Sequence, residues 1–230
     1  MRPRGRCLLA SLLSSLEAVS SVRTLTCPPG AGPVADTGRA PRIVLASASP
    51  RRLQLMQEIG LKFEVIPSEV VEGDIRAGRP EELVMRLAHA KAADVAKRLE
   101  NAIVIGADTI VVADGRVLGK PVDPDDALKM LGILSGREHQ VYSGVAVIDA
   151  ADGRSLTDYE VTAVRFRQLS EAAIQRYVAT GEPMDKAGAY AIQGLGSLLV
   201  TGICGDYNCV VGLPLGKLAI MLTEFGVHTL

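Results

Sequence analysis

Two arginines in the first turn of a helix, placed just after an apolar strand and a bend of small residues, are the clearest chemical signal in this 230-residue chain. The run is Leu45-Ala46-Ser47-Ala48-Ser49-Pro50-Arg51-Arg52. Ser49 suits an N-cap and Pro50 the first helical position. A helix N-terminus already carries free N–H groups and the positive end of the dipole, so cations are unfavourable there unless an anion joins them. Ser49, Arg51 and Arg52 are therefore candidate phosphate ligands; the plainer alternative is two solvated side chains. Asp108 follows an apolar strand, Ile103-Val104-Ile105, and the small pair Gly106-Ala107. A carboxylate at the carboxyl end of a strand can orient water or hold a metal, or simply bond its own turn.

Three further positions could complete an anion site. In the helix predicted over 80–99, Val84, Leu87, Ala88, Ala92 and Val95 form one apolar stripe, and Lys91 lies inside it. A buried ammonium needs an anion, unless its stem snorkels to water. Lys120 stands between Gly119 and Pro121, which fix the backbone beside it, although a loop lysine is more often a surface one. Glu72 is one acid in a polar loop. Gln193, in a stretch with glycines at 181, 188, 194 and 196, offers a donor and an acceptor suited to a base edge, and the glycines would let backbone approach a ligand. Neither G-x-G-x-x-G, G-x-x-x-x-G-K-[ST] nor G-x-S-x-G occurs, which argues against P-loop chemistry and a hydrolase triad. His89 and His139 read as structural or exposed.

The elements that must position these residues alternate. Strand 42–46 leads to helix 50–59, ended by Gly60, and then to strand 62–66. Strand 102–105, broken near Asp108, resumes over 110–113 into an Asp114-Gly115 hairpin turn. Asp123 opens a helix to Leu134, 140–148 pairs with 156–166, Ser170 caps a helix ending near Gly181, strand 198–203 follows, and Pro214 begins the last helix. This is an α/β fold with a mixed sheet.

Composition narrows the class. A net charge of −1 leaves no global field for nucleic acid or an acidic membrane, so anion binding must be local. Cys7, Cys27, Cys204 and Cys209 show no C-x-x-C spacing, so a reduced cytoplasmic chain without zinc is the default. Residues 1–41 contain five arginines, two acids and a Pro/Gly-rich stretch. They read as a disordered N-terminal extension in preference to a transit peptide or a signal peptide.

Taken together, Ser47-Ala48-Ser49-Pro50-Arg51-Arg52, Gly106-Ala107-Asp108-Thr109, Gly119-Lys120-Pro121, Leu134-Ser135-Gly136 and Gly181-Glu182-Pro183-Met184-Asp185-Lys186-Ala187-Gly188 resemble, in order, the motifs of the Maf family of nucleoside triphosphate pyrophosphatases. The resemblance assigns 42–228 to one such domain. It implies an elongated, two-lobed fold similar to inosine triphosphate pyrophosphatases, with a central cleft. It also implies hydrolysis of a nucleoside triphosphate to monophosphate and pyrophosphate with Mg²⁺ or Mn²⁺. By position it implies that Asp108 is the catalytic acid–base, that Arg51, Thr109 and Gln193 select substrate, and that Lys91 and Lys120 line the triphosphate site. The stretch 189–196 is similar to the dTTP/UTP subgroup. Where the family often has two tandem acids this chain has Val71-Glu72, so the second metal-ligand role beside Asp108 passes to Glu72. The substrate would be the main partner, with a homodimer left open and neither nucleic acid nor membrane involved. A non-enzymatic regulator of septum formation, or a pyrophosphatase for other non-standard nucleotides, remains as an alternative; metal-dependent pyrophosphate release abolished by Asp108→Asn separates an enzyme from a regulator.

Overall fold

The computed structural model of the protein describes residues 41–75 and 77–229; the expected extension lies, up to residue 40, outside the described residues. The chain runs β1 (Ile43–Leu45), α1 (Pro50–Glu58), β2 (Glu64–Val65), α2 (Pro80–Ala96), β3 (Ile103–Ala113), β4 (Arg116–Leu118), α3 (Pro124–Leu134), β5 (Glu138–Asp149), β6 (Ser155–Phe166), α4 (Glu171–Ala179), β7 (Val200–Cys204), α5 (Tyr207–Val211) and α6 (Leu215–Thr223). The strands form one sheet in the order β2-β1-β3-β5-β6-β7, with β4 paired to β3 off that path. Pairing is parallel among β2, β1 and β3, and antiparallel elsewhere, so the sheet is mixed as expected.

β3 organises the molecule. It is central, and ten of its eleven residues are buried, which explains its nearly continuous apolar sequence. The expected break at Gly106-Ala107 does not occur. The strand runs straight through Asp108, which pairs with Gly144 of β5. The carboxyl end at this point belongs to β1, whose pairing stops at Leu45 opposite Ile105 with a last bond from Ala46 N to Ile105 O of 2.7 Å. β4 takes up the same edge again only at Val111. Between them the edge of β3 around 106–110 is uncovered, and a cleft opens there.

Alternation along β3 divides its side chains between two faces. On one face Ile103, Ile105 and Ala107 join a core with α1 and α6, through Leu55, Met56, Leu218 and Leu222. Further along that face Val111 and Ala113 join a second core built on α3 and α4, through Leu131, Leu134, Ile174 and Val178. Thr109 lies between the two. The opposite face meets α2, where Val104 packs with Ala88, Ala92 and Val95.

Local chemistry explains most boundaries. Asp114 and Gly115 both take positive φ, 49° and 72°, closing the β3–β4 hairpin as their pair of types requires. The Asp123 carboxylate accepts from the Asp126 amide at 2.7 Å, and the Ser170 hydroxyl from Ala173 at 3.3 Å, capping α3 and α4. The short α5 carried no periodic signal; the Asp206 carboxylate caps it by accepting from Asn208 and Cys209. Among the described residues no helix is long and apolar enough to cross a membrane.

His139 is buried in the second core. Its Nε2 shares a 2.7 Å hydrogen bond with the Tyr190 hydroxyl, and its ring stands edge-on to Phe166 and Tyr190. Burial pushes its pKa down from 6.5 to about 4. Within that window the unfolded chain holds a proton that the folded chain does not, so this contribution to stability is complete above the unfolded value and is lost as pH falls. Between pH 7 and 5 the loss should be about 2 kcal/mol. Urea unfolding at the two values measures it, and His139→Gln should flatten the difference.

Candidate active site

The cleft beside β3 encloses about 420 Å³ and is lined by Ser49, Arg51, Arg52, Glu72, Lys91, Asp108, Thr109 and Lys120, together with Ser47, Asp185 and Lys186. Residues as far apart in the chain as Ser47 and Lys186 thus share one space, because the open edge of β3 receives the end of β1, the side of α2 and the β4–α3 loop.

At the end of β1 the helix start is organised differently from the expectation. Ser49 occupies the N-cap position in extended backbone, but its side chain makes no capping bond. Ser47, two residues earlier, accepts from the Ser49 amide at 3.2 Å and from Arg52 Nη1 at 3.3 Å. A hydroxyl turn of this kind satisfies the amide, and Pro50 has no N–H to satisfy. Ser49 therefore lines the cleft with its hydroxyl uncommitted to the helix.

The two arginines have separate surroundings. Arg52 donates from Nε to Gly212 O at 2.8 Å and from Nη2 to Thr109 Oγ1 at 3.2 Å. Thr109 Oγ1 lies 2.8 Å from Ser143 Oγ, which donates to Cys209 O at 2.7 Å. One proton order satisfies this chain, with Arg52 donating to Thr109, Thr109 to Ser143 and Ser143 to Cys209. Arg52 thereby ties α1 to β3, β5 and the turn after α5. Burial lowers its pKa while Asp108 and Glu72 oppose that effect. Arg51 lines the cleft without a hydrogen bond or ion pair among the described residues, so its guanidinium is available to an anion.

Close backbone packing places Lys91. A Cβ on Gly106 would stand 2.3 Å from Ala88 O, and one on Gly144 2.3 Å from Val84 O. Both strands are bare where α2 crosses them, so the helix lies directly on the sheet, and Lys91, one turn beyond Ala88, arrives over Asp108. Lys91 Nζ contacts Asp108 Oδ1 at 2.6 Å and Glu72 Oε1 at 2.6 Å. The Lys91 and Asp108 side chains are only 11% and 7% exposed. Burial raises the Asp108 pKa, with Lys91 and Arg52 pulling the other way. For Glu72 burial also acts upward, but its hydrogen bond and charge interaction with Lys91, helped by Lys120 and Arg52, hold it below the usual carboxylate range.

The far wall comes from the segment after α4. Gly188 N donates to Gly119 O at 2.9 Å, joining this segment to the backbone that carries Lys120. Lys186 Nζ donates to Glu182 O at 2.6 Å and pairs with Asp185 at 2.5 Å. Asp185 and Lys186 were visible in the sequence only as part of a glycine-rich run, and nothing local marks them as facing Asp108. The glycines themselves play another part than expected. Gly188 abuts Val111, and Gly194 and Gly196 abut Glu182, Tyr177 and Ala191; none lines the cleft. Gln193 is not among the lining residues either, although its neighbour Ile192 is.

The charge pattern of the cleft is five cations (Arg51, Arg52, Lys91, Lys120, Lys186) against three carboxylates (Glu72, Asp108, Asp185). A polyanion placed among them would meet charge complementarity together with a carboxylate that can take a proton.

Residues 42–225 match the family described as Maf-like protein. The chain is 53% identical over 188 residues to a dTTP/UTP pyrophosphatase of Pelotomaculum thermopropionicum, covering 82% of this chain and 98% of that protein. It is 54% identical over 186 residues to a dTTP/UTP pyrophosphatase of Moorella thermoacetica, covering 81% and 96%. The chain belongs to the Maf family. A distant likeness, with 13% identity and a TM-score of 0.39, is to a nucleoside-triphosphatase / dITP/XTP pyrophosphatase of Mycobacterium abscessus, over 80% of this chain and 95% of that one.

Because α2 rests on bare backbone, Gly106→Ala should push the helix off the sheet. It should cost about 1–3 kcal/mol of stability and disrupt the Lys91–Asp108 contact. Thermal unfolding and the activity assay below should fall together.

Proposed function

We propose that this chain is a nucleoside triphosphate pyrophosphatase that hydrolyses dTTP and UTP to the monophosphate and pyrophosphate. The single observation that carries the reading is Asp108, a buried carboxylate held by Lys91 at the floor of a cleft whose walls carry four more cations. The substrate assignment is supported by the names of the relatives at about half identity.

Each side chain then has a task. Asp108 orients a water and takes its proton as that water attacks the α-phosphorus, and pyrophosphate leaves. Displacement at phosphorus needs charge stabilisation and in-line placement more than covalent help. Arg51, Lys120 and Lys186 neutralise the departing phosphates. Lys91 contacts two carboxylates and has a third N–H for a phosphate oxygen. Arg52 holds Thr109 in place, and Thr109 and Gln193 are assigned to the choice of base. Ser49, at the start of α1, adds a hydroxyl beside the helix amides that attract phosphate.

The donor set fits a divalent cation. Asp108 and Glu72 each bring one carboxylate oxygen within 2.6 Å of the Lys91 nitrogen, so the two groups are neighbours and each keeps a second oxygen for an ion. Among the described residues no group of three or more His, Cys, Asp or Glu side chains could hold a metal, so substrate phosphates would supply the other donors. Mg²⁺ is typically held by one or two carboxylates with substrate phosphates completing its shell, and Mn²⁺ accepts the same donors. When bound, such an ion supplies charge neutralisation on the phosphate oxygens. Asp108 and Glu72 are the residues that would hold it.

Asp108→Asn should keep the fold and lower turnover by roughly a hundredfold or more. The test is pyrophosphate release from dTTP and UTP with and without Mg²⁺ or Mn²⁺. Turnover close to wild type in that variant would overturn the assignment, and so would pyrophosphate release independent of added metal after chelation.

A further inference from the structure

The segment 191–196 carries a set of contacts that the reaction outlined above does not use. Glu182 accepts three hydrogen bonds through one carboxylate: from the Tyr177 hydroxyl at 2.9 Å, from Leu195 N at 3.1 Å and from Gly196 N at 2.9 Å. The Tyr177 oxygen in turn accepts from Ala191 N at 3.3 Å. Both ends of the segment are therefore held by one pair of side chains. Gly194 takes φ +66°, and a Cβ there would come within 2.8 Å of Glu182 Oε2. A Cβ on Gly196 would come within 2.7 Å of Tyr177 Oη and 2.2 Å of Ala191 O. These glycines serve to let the turn wrap closely around a carboxylate and a phenol.

Neither Tyr177 nor Glu182 lines the cleft, whereas Ile192, between the two held ends, does. Tyr177 belongs to α4 and is buried in the second core, so its hydroxyl is a fixed reference point. The Glu182 amide is bonded to Thr180 Oγ1 at 3.2 Å, and its carbonyl accepts from Lys186 Nζ at 2.6 Å, which joins this clamp to a cation in the cleft wall. Such a carboxylate should stay ionised: burial acts against it, but the two amides, the phenol and Lys186 together hold its pKa below the usual range.

We infer that Tyr177 and Glu182 are positioning residues for nucleoside recognition, clamping the 191–196 turn so that Ile192 is presented to the cleft with Gln193 next to it in the chain. The inference rests on the pyrophosphatase reading for its substrate, but the clamp itself does not depend on Gln193 being the base reader. The reacting groups around Asp108 come from other elements, so loosening the turn should act on binding and selectivity more than on the chemical step.

The experiment compares Tyr177→Phe, which removes the shared hydroxyl, with Glu182→Gln, which sets an amide N–H against the Leu195 or Gly196 amide. Steady-state kinetics are measured with dTTP, UTP, CTP and dGTP, and folding is checked by thermal unfolding. In both variants KM for dTTP should rise roughly tenfold, the scale of one or two lost buried hydrogen bonds, and the preference over CTP and dGTP should shrink by a similar factor. The value of kcat should fall less than KM rises. Unchanged KM and preference in folded Tyr177→Phe would overturn the inference, as would a fall in kcat alone. If Glu182→Gln does not fold, Tyr177→Phe decides. Gln193→Ala separates the two ideas. A flattened preference in Gln193→Ala beside wild-type behaviour in the clamp variants removes the clamp and leaves the reader. The reverse pattern removes the reader and leaves the clamp, acting through Ile192. Loss of pyrophosphate release from every nucleotide by the wild-type protein would instead remove the enzymatic reading itself.

Discussion

The contact between Lys91 and Asp108 is the constraint on which the site is built. Removing Lys91 would leave the Asp108 carboxylate buried without its nearest cation, a loss that typically costs about 3–5 kcal/mol, whereas removing the Asp108 charge leaves Lys91 its second carboxylate, Glu72. The fold must therefore bring α2 close to β3 before it can bury either group. It does so by leaving β3 and β5 without side chains at Gly106 and Gly144, where the helix carbonyls of Ala88 and Val84 rest on the sheet. The same closeness fixes Asp108: a carboxylate with little access to water, a raised pKa and a cation at 2.6 Å is held in one orientation, as the proposed role requires.

A second set of contacts sets the width of the cleft. β3 contributes buried residues to the core against α1 and α6 and to the core against α3 and α4, and the site occupies the interval where neither β1 nor β4 covers its edge. Across that interval Arg52 joins the start of α1 to Thr109, to Ser143 beyond it and to the carbonyl of Gly212. A guanidinium with a planar fork of donors suits this bridging role in a way that a lysine would not. The pair of arginines thus divides its work, Arg52 holding the walls together and Arg51 facing the space between them. Arg52 lines the cleft as well, so the phosphate contact expected from its position and the bridge are compatible.

Much of the architecture was legible because it rests on local physics. The Asp114-Gly115 turn, the Asp123 and Ser170 caps and the alternation of β5 and β6 depend on neighbouring residues only. So does the inward stripe on α2, which singled out Lys91 as either an ammonium needing an anion or a stem reaching to water; the contact with Asp108 and Glu72 is the first of these. α5 was missed, because five residues capped by Asp206 leave no periodic pattern. Asp108 was placed at a strand end for a related reason: Gly-Ala normally signals a break, and only the crossing of α2 over the sheet makes a small residue necessary inside a strand. Ser49 was read as a cap from its position, while the hydroxyl that accepts its amide belongs to Ser47.

The sequence by itself determined the class of the molecule, an α/β protein with a mixed sheet and two adjacent arginines at the start of its first helix, and its order of motifs determined the family. Tertiary structure decided what each charged group does. Whether an arginine bridges walls or faces a ligand, whether a glycine meets a helix, a carboxylate or a phosphate, and whether Asp185 and Lys186 belong with Asp108 all depend on which distant backbone passes nearby. That information is carried by packing between elements far apart in the chain, where no local periodicity or cap can record it.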